Sequence, residues 1–183
     1  MKIVDSDLTG VKIIEPDVFP DERGFFQEVF RSDLNGRIGA ARPFVQHNLS
    51  MSRRNVLRGM HYQLLNPQAK LVTVLQGEVC DVVVDIRRGS PTFGRHSAVT
   101  LSATNHLLLF VPEGFAHGFC VLGDEARFFY MTTSFYAPGD DHGILWSDPD
   151  LAIPWPTARP VVSRRDAALP RLRDVPPDKL PLL

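Results

Sequence analysis

Two apolar runs separated by only two residues constrain this chain more than anything else in it. LVTVL at 71–75 and EVCDVVVDI at 78–86 flank Gln76-Gly77. Such a pair reads as a β-hairpin with a tight turn, because glycine there accepts the backbone angles that other residues resist. Both runs are dense in Val, Leu and Ile, so both are expected in the core of a sheet. Just ahead of them stand Arg58, His61, Gln63 and Lys70. Arg58 alone would read as an ordinary solvated charge at a sheet edge. Two cations and a glutamine beside one histidine, at the mouth of an apolar sheet, read as a site on a scaffold.

The rest of the chain repeats the β signal at close spacing. KIV and VKII near the N-terminus are broken by Gly10 and Pro16. Arg23-Gly24 marks a turn before an apolar strand start, and Arg23 with Glu28 reads as a surface ion pair. Residues 31–43 are expected to be loop or briefly helical. From Val45 to Met51 apolar and polar residues alternate, which places Gln46, Asn48 and Ser50 on one face of a strand. Ser52 to Asn55 is expected as a loop. Further strands are expected at 96–103, at 107–111, in CVL after the turn 112–119, and within 126–136. Residues 137–150 read as loop, and from about 157 the chain is an extended, Pro- and Arg-rich tail. Many short strands with Gly/Pro turns imply one all-β sandwich or barrel domain and exclude a helical bundle.

Composition narrows the functional classes. The 183 residues carry 20 basic and 21 acidic side chains, so general affinity for nucleic acid or a membrane surface is not expected. Cys80 and Cys120 both fall in apolar runs and read as buried thiols. No stretch is long and apolar enough for a membrane span, and the N-terminus lacks the pattern of a signal peptide. A cytoplasmic protein is the expectation.

Acid–base chemistry suits the polar residues best. Histidine is a natural proton acceptor near neutral pH, lysine stabilises a developing oxyanion, and tyrosine can return a proton. No G-x-S-x-G elbow, Gly-rich phosphate loop or dinucleotide fingerprint is present. Pro112-x-Gly114-x-x-His117 resembles the second motif of the cupins. The first cupin motif is altered: its histidine pair has become His61-Tyr62-Gln63, and Lys70 stands where a carboxylate would ligate metal. The cupin architecture is therefore expected without its metal.

Ten segments, in order along nearly the whole chain, resemble the dTDP-4-dehydrorhamnose 3,5-epimerase family. They include DERGFFQE at 21–28, FVQHNLS at 44–50, NVLRGMHYQ at 55–63, AKLV at 69–72, PEGFAHGF at 112–119, FFYMTT at 128–133 and SRRDAALP at 163–170. The resemblance implies a cupin-type β-jelly-roll barrel with short peripheral helices, a homodimer formed by strand exchange, and no cofactor or metal. It implies a dTDP-4-keto-6-deoxy sugar substrate, inverted at carbons 3 and 5 through an enolate, on the route to dTDP-L-rhamnose. By the same resemblance His61 is the base, Asp166 its partner, Lys70 the enolate stabiliser and Tyr130 the acid. Arg23, Phe26, Glu28, Gln46, Asn48, Arg58, His117, Asp141 and Arg165 match substrate-binding positions.

Several alternatives stay open at this point. Asp81 rivals Asp166 as the partner of His61, and Phe26 and His117 read nearly as well as core residues. His47, His96, His106 and His142 receive no role. Arg165 stands where the family commonly has lysine, Phe135-Tyr136 where it often has two tyrosines, and Met131 where lysine is frequent. An epimerase acting at one centre, a non-catalytic sugar-binding cupin and a metal-dependent oxygenase are the competing functions. Gln63 and Lys70 speak against the oxygenase, and retention of both His61 and Tyr130 against the binder.

Overall fold

A computed structural model describes residues 1–183. Six strands form one antiparallel sheet in the order β1 (Lys2–Asp5), β2 (Lys12–Glu15), β10 (Leu108–Val111), β7 (Lys70–Gln76), β12 (Glu125–Thr132) and β5 (Gln46–Arg53). Five form a second: β13 (Asp141–Gly143), β6 (Leu57–Gln63), β11 (Phe115–Val121), β8 (Glu78–Asp85) and β9 (His96–Ser102). β3 (Val18–Asp21) and β4 (Gly24–Gln27) make a separate two-stranded ribbon. The helices α1 (Leu34–Ile38) and α2 (Arg164–Ala167) are single turns. This is the expected all-β jelly roll.

Alternation explains why the sheets face each other. Successive side chains of a strand point to opposite faces, so each strand offers one apolar set to the barrel interior. Val72, Val74 and Phe128 from the first sheet meet Val79, Val83 and Phe119 from the second in one buried cluster. The outer face of the second sheet is buried too, because the C-terminal tail lays Leu151, Leu172, Val175 and Leu180 over Met60, Val82 and Val84. α1 and its flanks cover part of the outer face of the first sheet, around Ile14, Leu71 and Phe110.

Both apolar runs are strands, but the expected hairpin is not formed: β7 pairs with β10 and β12 in the first sheet, β8 pairs with β11 and β9 in the second, and Gln76-Gly77, with Gly77 at φ +78, carries the chain from one sheet to the other. A Cβ there would lie 2.0 Å from the carbonyl oxygen of Glu125. Both the backbone angle and the neighbouring strand therefore require glycine.

Other expectations need correction. The turn expected over 112–119 is already strand from Phe115, and Leu57–Gln63 is a full interior strand. Asp141–Gly143, expected as loop, adds an edge strand by pairing with β6. In β5 the polar set Gln46, Asn48 and Ser50 faces inward, half-buried, while Val45, His47, Leu49 and Met51 are exposed. Arg23 does not pair with Glu28: Arg23 bonds Asp21, and Glu28 pairs with Arg31 at 3.6 Å. Residues five apart in extended chain point to opposite faces, whereas residues two apart share one.

Gly77→Ala is expected to destabilise the fold by more than about 1 kcal/mol, because alanine at positive φ is strained and its methyl meets backbone. A urea midpoint within error of the parent would refute that role for the turn.

Candidate active site

One cavity of about 560 Å³ opens between the two sheets, lined by Arg58, His61, Lys70, His117, Tyr130, Arg165 and Asp166. Its floor is apolar, formed by Phe119 and Phe128, whose rings stack with centroids 4.2 Å apart. Each polar side chain arrives from a different element. β6 supplies Arg58 and His61, β7 Lys70, β11 His117, β12 Tyr130, and the tail Arg165 and Asp166.

Close packing of β6 against β11 brings the two histidines together. A Cβ on Gly59 would lie 2.6 Å from the Cα of Gly118, so glycine at this crossing lets the backbones touch. In the resulting register His61 pairs directly with His117.

Each histidine has its own carboxylate. His61 Nε2 lies 2.9 Å from Asp166 Oδ1, and the Gly59 N–H donates to Asp166 Oδ2 at 3.3 Å. His117 Nε2 lies 2.9 Å from Asp81 Oδ1. The rivalry between Asp166 and Asp81 is thus resolved in geometry: Asp166 touches His61, and Asp81 touches the other ring. The two pairs differ in access. The His61 side chain is 31% exposed, while His117 is 7% exposed and Asp81 fully buried. Burial raises the Asp81 carboxyl, and the charge and hydrogen bond of His117 only partly offset it. Burial also acts to raise Asp166, but bonds from His61, Gly59 and Ser163 outweigh it and hold that carboxyl below its usual range.

Around His61, charge is arranged asymmetrically. Desolvation pulls the Lys70 ammonium down to about 8, against the nearby charges of Asp141 and Glu113, which act to raise it. Burial raises the Tyr130 phenol, so it stays protonated at neutral pH; Arg58 partly opposes the shift and Asp141 adds to it. Arg58 is oriented by its Nε donating to Ser52 Oγ at 3.0 Å. Arg165 Nη1 lies 2.8 Å from Asp141 Oδ2, which also accepts the Tyr136 hydroxyl at 3.0 Å. Asp141 therefore braces the rim instead of lining the cavity. Gln46 and Asn48 stand beside it: Gln46 Nε2 donates to Asn48 Oδ1, and Gln46 Oε1 accepts the Tyr136 N–H.

No three His, Cys, Asp or Glu side chains are grouped so as to hold a metal ion. Gln63 is committed elsewhere, donating to the Asn66 carbonyl and accepting the Ala137 N–H. Cys80 and Cys120 are free thiols on adjacent strands. No helix is long and apolar enough to cross a membrane.

Six of the nine expected substrate residues do not line this cavity, Gln46, Asn48 and Asp141 among them. Arg23, Phe26 and Glu28 lie on or beside the β3–β4 ribbon, outside both sheets, and Phe26 is 69% exposed. Conversely, sequence reasoning passed over Ser163, Phe119, Phe128 and Val161, which all line the cavity. Ser163 had a legible signal, since Ser-x-x-Asp is a helix-capping pattern. The two phenylalanines had none, because an inward aromatic in a strand looks the same whether it packs or lines a pocket.

Comparison with known proteins gives one family. Residues 5–174 match the sequence model of the family described as dTDP-4-dehydrorhamnose 3,5-epimerase. The chain is 51% identical over 169 residues to a Shigella flexneri protein of that name, covering 91% of this chain and 93% of the relative. It is also 51% identical over 169 residues to one from Neisseria gonorrhoeae, covering 92% of this chain but 52% of that longer relative. A crystal structure of the Legionella pneumophila dTDP-6-deoxy-D-glucose-3,5-epimerase, in complex with dTDP-4-keto-L-rhamnose, superposes with a TM-score of 0.97. It is 45% identical and covers 100% of this chain and 98% of that one.

The environment of Lys70 can be titrated directly. Carbon-13 NMR of labelled lysine should find one side chain changing charge at about 8. Asp141→Asn should move that value lower still, because it removes the first of the two negative charges that raise it. A Lys70 titration near 10.5, or an upward move in Asp141→Asn, would contradict the desolvated site.

Proposed function

The chain belongs to the dTDP-4-dehydrorhamnose 3,5-epimerase family, and on that premise we propose that it converts dTDP-4-dehydro-6-deoxy-D-glucose to dTDP-4-dehydro-L-rhamnose. The reaction serves dTDP-L-rhamnose synthesis, and the enzyme is an isomerase. The observation that carries the residue assignment is the 2.9 Å contact of His61 with Asp166, in the same cavity as Lys70 and Tyr130.

The mechanism follows from the chemistry of the substrate. A ketone at carbon 4 acidifies the hydrogens on carbons 3 and 5, because the carbanion left behind delocalises onto the carbonyl oxygen. His61 donates its Nε2–H to Asp166, which leaves the Nδ1 lone pair to take the proton. Asp166 stabilises the imidazolium that results. The Lys70 ammonium donates to the enolate oxygen, where charge develops. Tyr130 then delivers a proton to the opposite face, and the configuration inverts. Two groups are needed, since one group on one face would restore the starting centre. Arg58 and Arg165 are the cations suited to pyrophosphate, because guanidinium binds phosphate oxygens in a two-pronged fashion. His117, Gln46, Asn48 and Asp141 complete the substrate-binding surface. No step calls on a metal or an organic cofactor. One domain, in the cytoplasm, carries the whole reaction.

A homodimer is part of the same proposal. The exposed side of β5 carries Leu49 and Met51, and the detached ribbon carries exposed Phe19 and Phe26. Exposed large apolar side chains on both elements suit an interface, and a second copy of the chain is its occupant. In such a pair the ribbon would bring Arg23, Phe26 and Glu28 to the partner's cavity. That explains why they are displaced from their own.

Proton NMR of the substrate with enzyme in deuterated water tests the chemistry and counts the exchanging centres. His61→Ala should abolish both exchange and product, and Tyr130→Phe should block inversion while some exchange persists. Loss of a positioned acid or base costs on the order of 100- to 10,000-fold. Near-parental epimerisation by Tyr130→Phe would remove Tyr130 from the role of acid. Light scattering tests the assembly: a dimer is expected, and a fully active monomer would refute the exchange of ribbons.

A further inference from the structure

The carboxylate that orients His61 rests on very little helix. α2 spans four residues, Arg164–Ala167. A single turn fixes many backbone angles for few hydrogen bonds, so it does not hold its shape by itself. What holds it is Ser163. This residue is extended, at φ −67 and ψ 156, and its Oγ accepts the N–H of Asp166 at 3.0 Å. Asp166 is therefore gripped from two directions. Ser163 fixes its backbone, and its carboxylate reaches forward to His61 and the Gly59 N–H. The Ser163 hydroxyl also helps to hold that carboxyl ionised.

The ties on either side of Ser163 are further off in the chain. Before it, Leu57 N–H donates to the Val161 carbonyl at 2.9 Å, and Val161 N–H to the Asn55 carbonyl at 2.8 Å. After it, Leu145 N–H donates to the Pro170 carbonyl at 2.7 Å. Between these anchors Arg165 bonds Asp141, on the rim, which fixes the turn but not the direction of the neighbouring Asp166 side chain. Only the cap acts on the Asp166 backbone itself.

We propose that Ser163 is a positioning residue for the epimerase reaction, acting through Asp166 by fixing the backbone from which the carboxylate holds His61. The inference rests on the reading of His61 and Asp166 as base and partner. A competing role is direct contact with substrate, since Ser163 also lines the cavity. The two differ in kinetics. A positioning defect lowers kcat and leaves KM, whereas a lost substrate contact of the binding kind raises KM.

The test is a cycle of Ser163→Ala, Asp166→Asn and the double variant, with kcat, KM and thermal midpoint measured for each. Ser163→Ala should lower kcat by about 2- to 30-fold, the range to which a lost helix cap corresponds, with KM within about twofold. Ser163→Thr, which keeps a capping hydroxyl, should recover most of the rate. In the Asp166→Asn background the same Ser163→Ala change should alter kcat by less than about twofold, because residues acting through one another are not additive. Should Ser163→Ala fold poorly, Ser163→Gly removes the hydroxyl at a capping position that tolerates glycine. Equal losses in both backgrounds, or a raised KM with unchanged kcat, would overturn the positioning role. So would an unchanged kcat in Ser163→Ala where Asp166→Asn is impaired. Parental activity in Asp166→Asn would instead overturn the base pairing, and this inference with it.

Discussion

The contact between β6 and β11 at Gly59 and Gly118 governs the rest of the site. There is no room for a side chain between these backbones, and the absence of one sets the register that places His61 opposite His117. The pairing then shifts between His117 and Phe119, so Arg58 pairs with Phe119. A wider spacing would move the two rings apart, while His117 would keep Asp81, which stands on β8 at the other side of β11. The geometry of the cavity is thus largely a consequence of strand packing, to which the tail adds Ser163, Arg165 and Asp166.

The two histidine–carboxylate pairs show what burial does to the same chemistry. Asp81 is fully buried, and its carboxyl is raised because desolvation exceeds the help it receives from His117. Such a pair does not gain stability from its charge; a buried ion pair that breaks even with apolar packing is already well built. Asp166 is nearly as buried but has two further partners besides its histidine, Gly59 and Ser163, and its carboxyl stays low. A carboxylate that remains ionised beside an accessible ring is the one suited to stabilise a transient imidazolium.

Much of this was legible in the sequence, for reasons that also explain the failures. The tight turn at Gln76-Gly77, the alternating strands and the inward histidine of Pro112-x-Gly114-x-x-His117 are local signals, and the structure has them; that β7 and β8 pair with other strands in opposite sheets, and not with each other, is not a local matter. The polar cluster at 58–70 pointed to the cavity because chemistry-bearing residues were close in sequence on one β6–β7 unit. What the sequence could not reveal depends on contacts across long separations. Asp166 meets His61 over 105 positions. The face of β5 that turns inward is decided by the barrel, and it turned out to be the polar one. The Arg23–Glu28 pair failed on a local rule, the period of two along extended chain.

The division of labour among elements has a physical logic. The residues proposed as base, oxyanion stabiliser and acid come from β6, β7 and β12, three strands whose backbones are locked in ladders. Sites on strands are held more precisely than sites on loops. The cost falls on Lys70, whose ammonium is desolvated to about 8. At neutral pH roughly ten protonated lysines still stand for each neutral one. A cation so weakened is a stronger acid than an exposed lysine, so its proton would lie nearer to transfer if an enolate oxygen formed beside it. The same desolvation strengthens its attraction for that oxygen, since little water competes inside the cavity. One unfavourable burial would thus supply both the acidity and the field that the proposed enolate chemistry calls for.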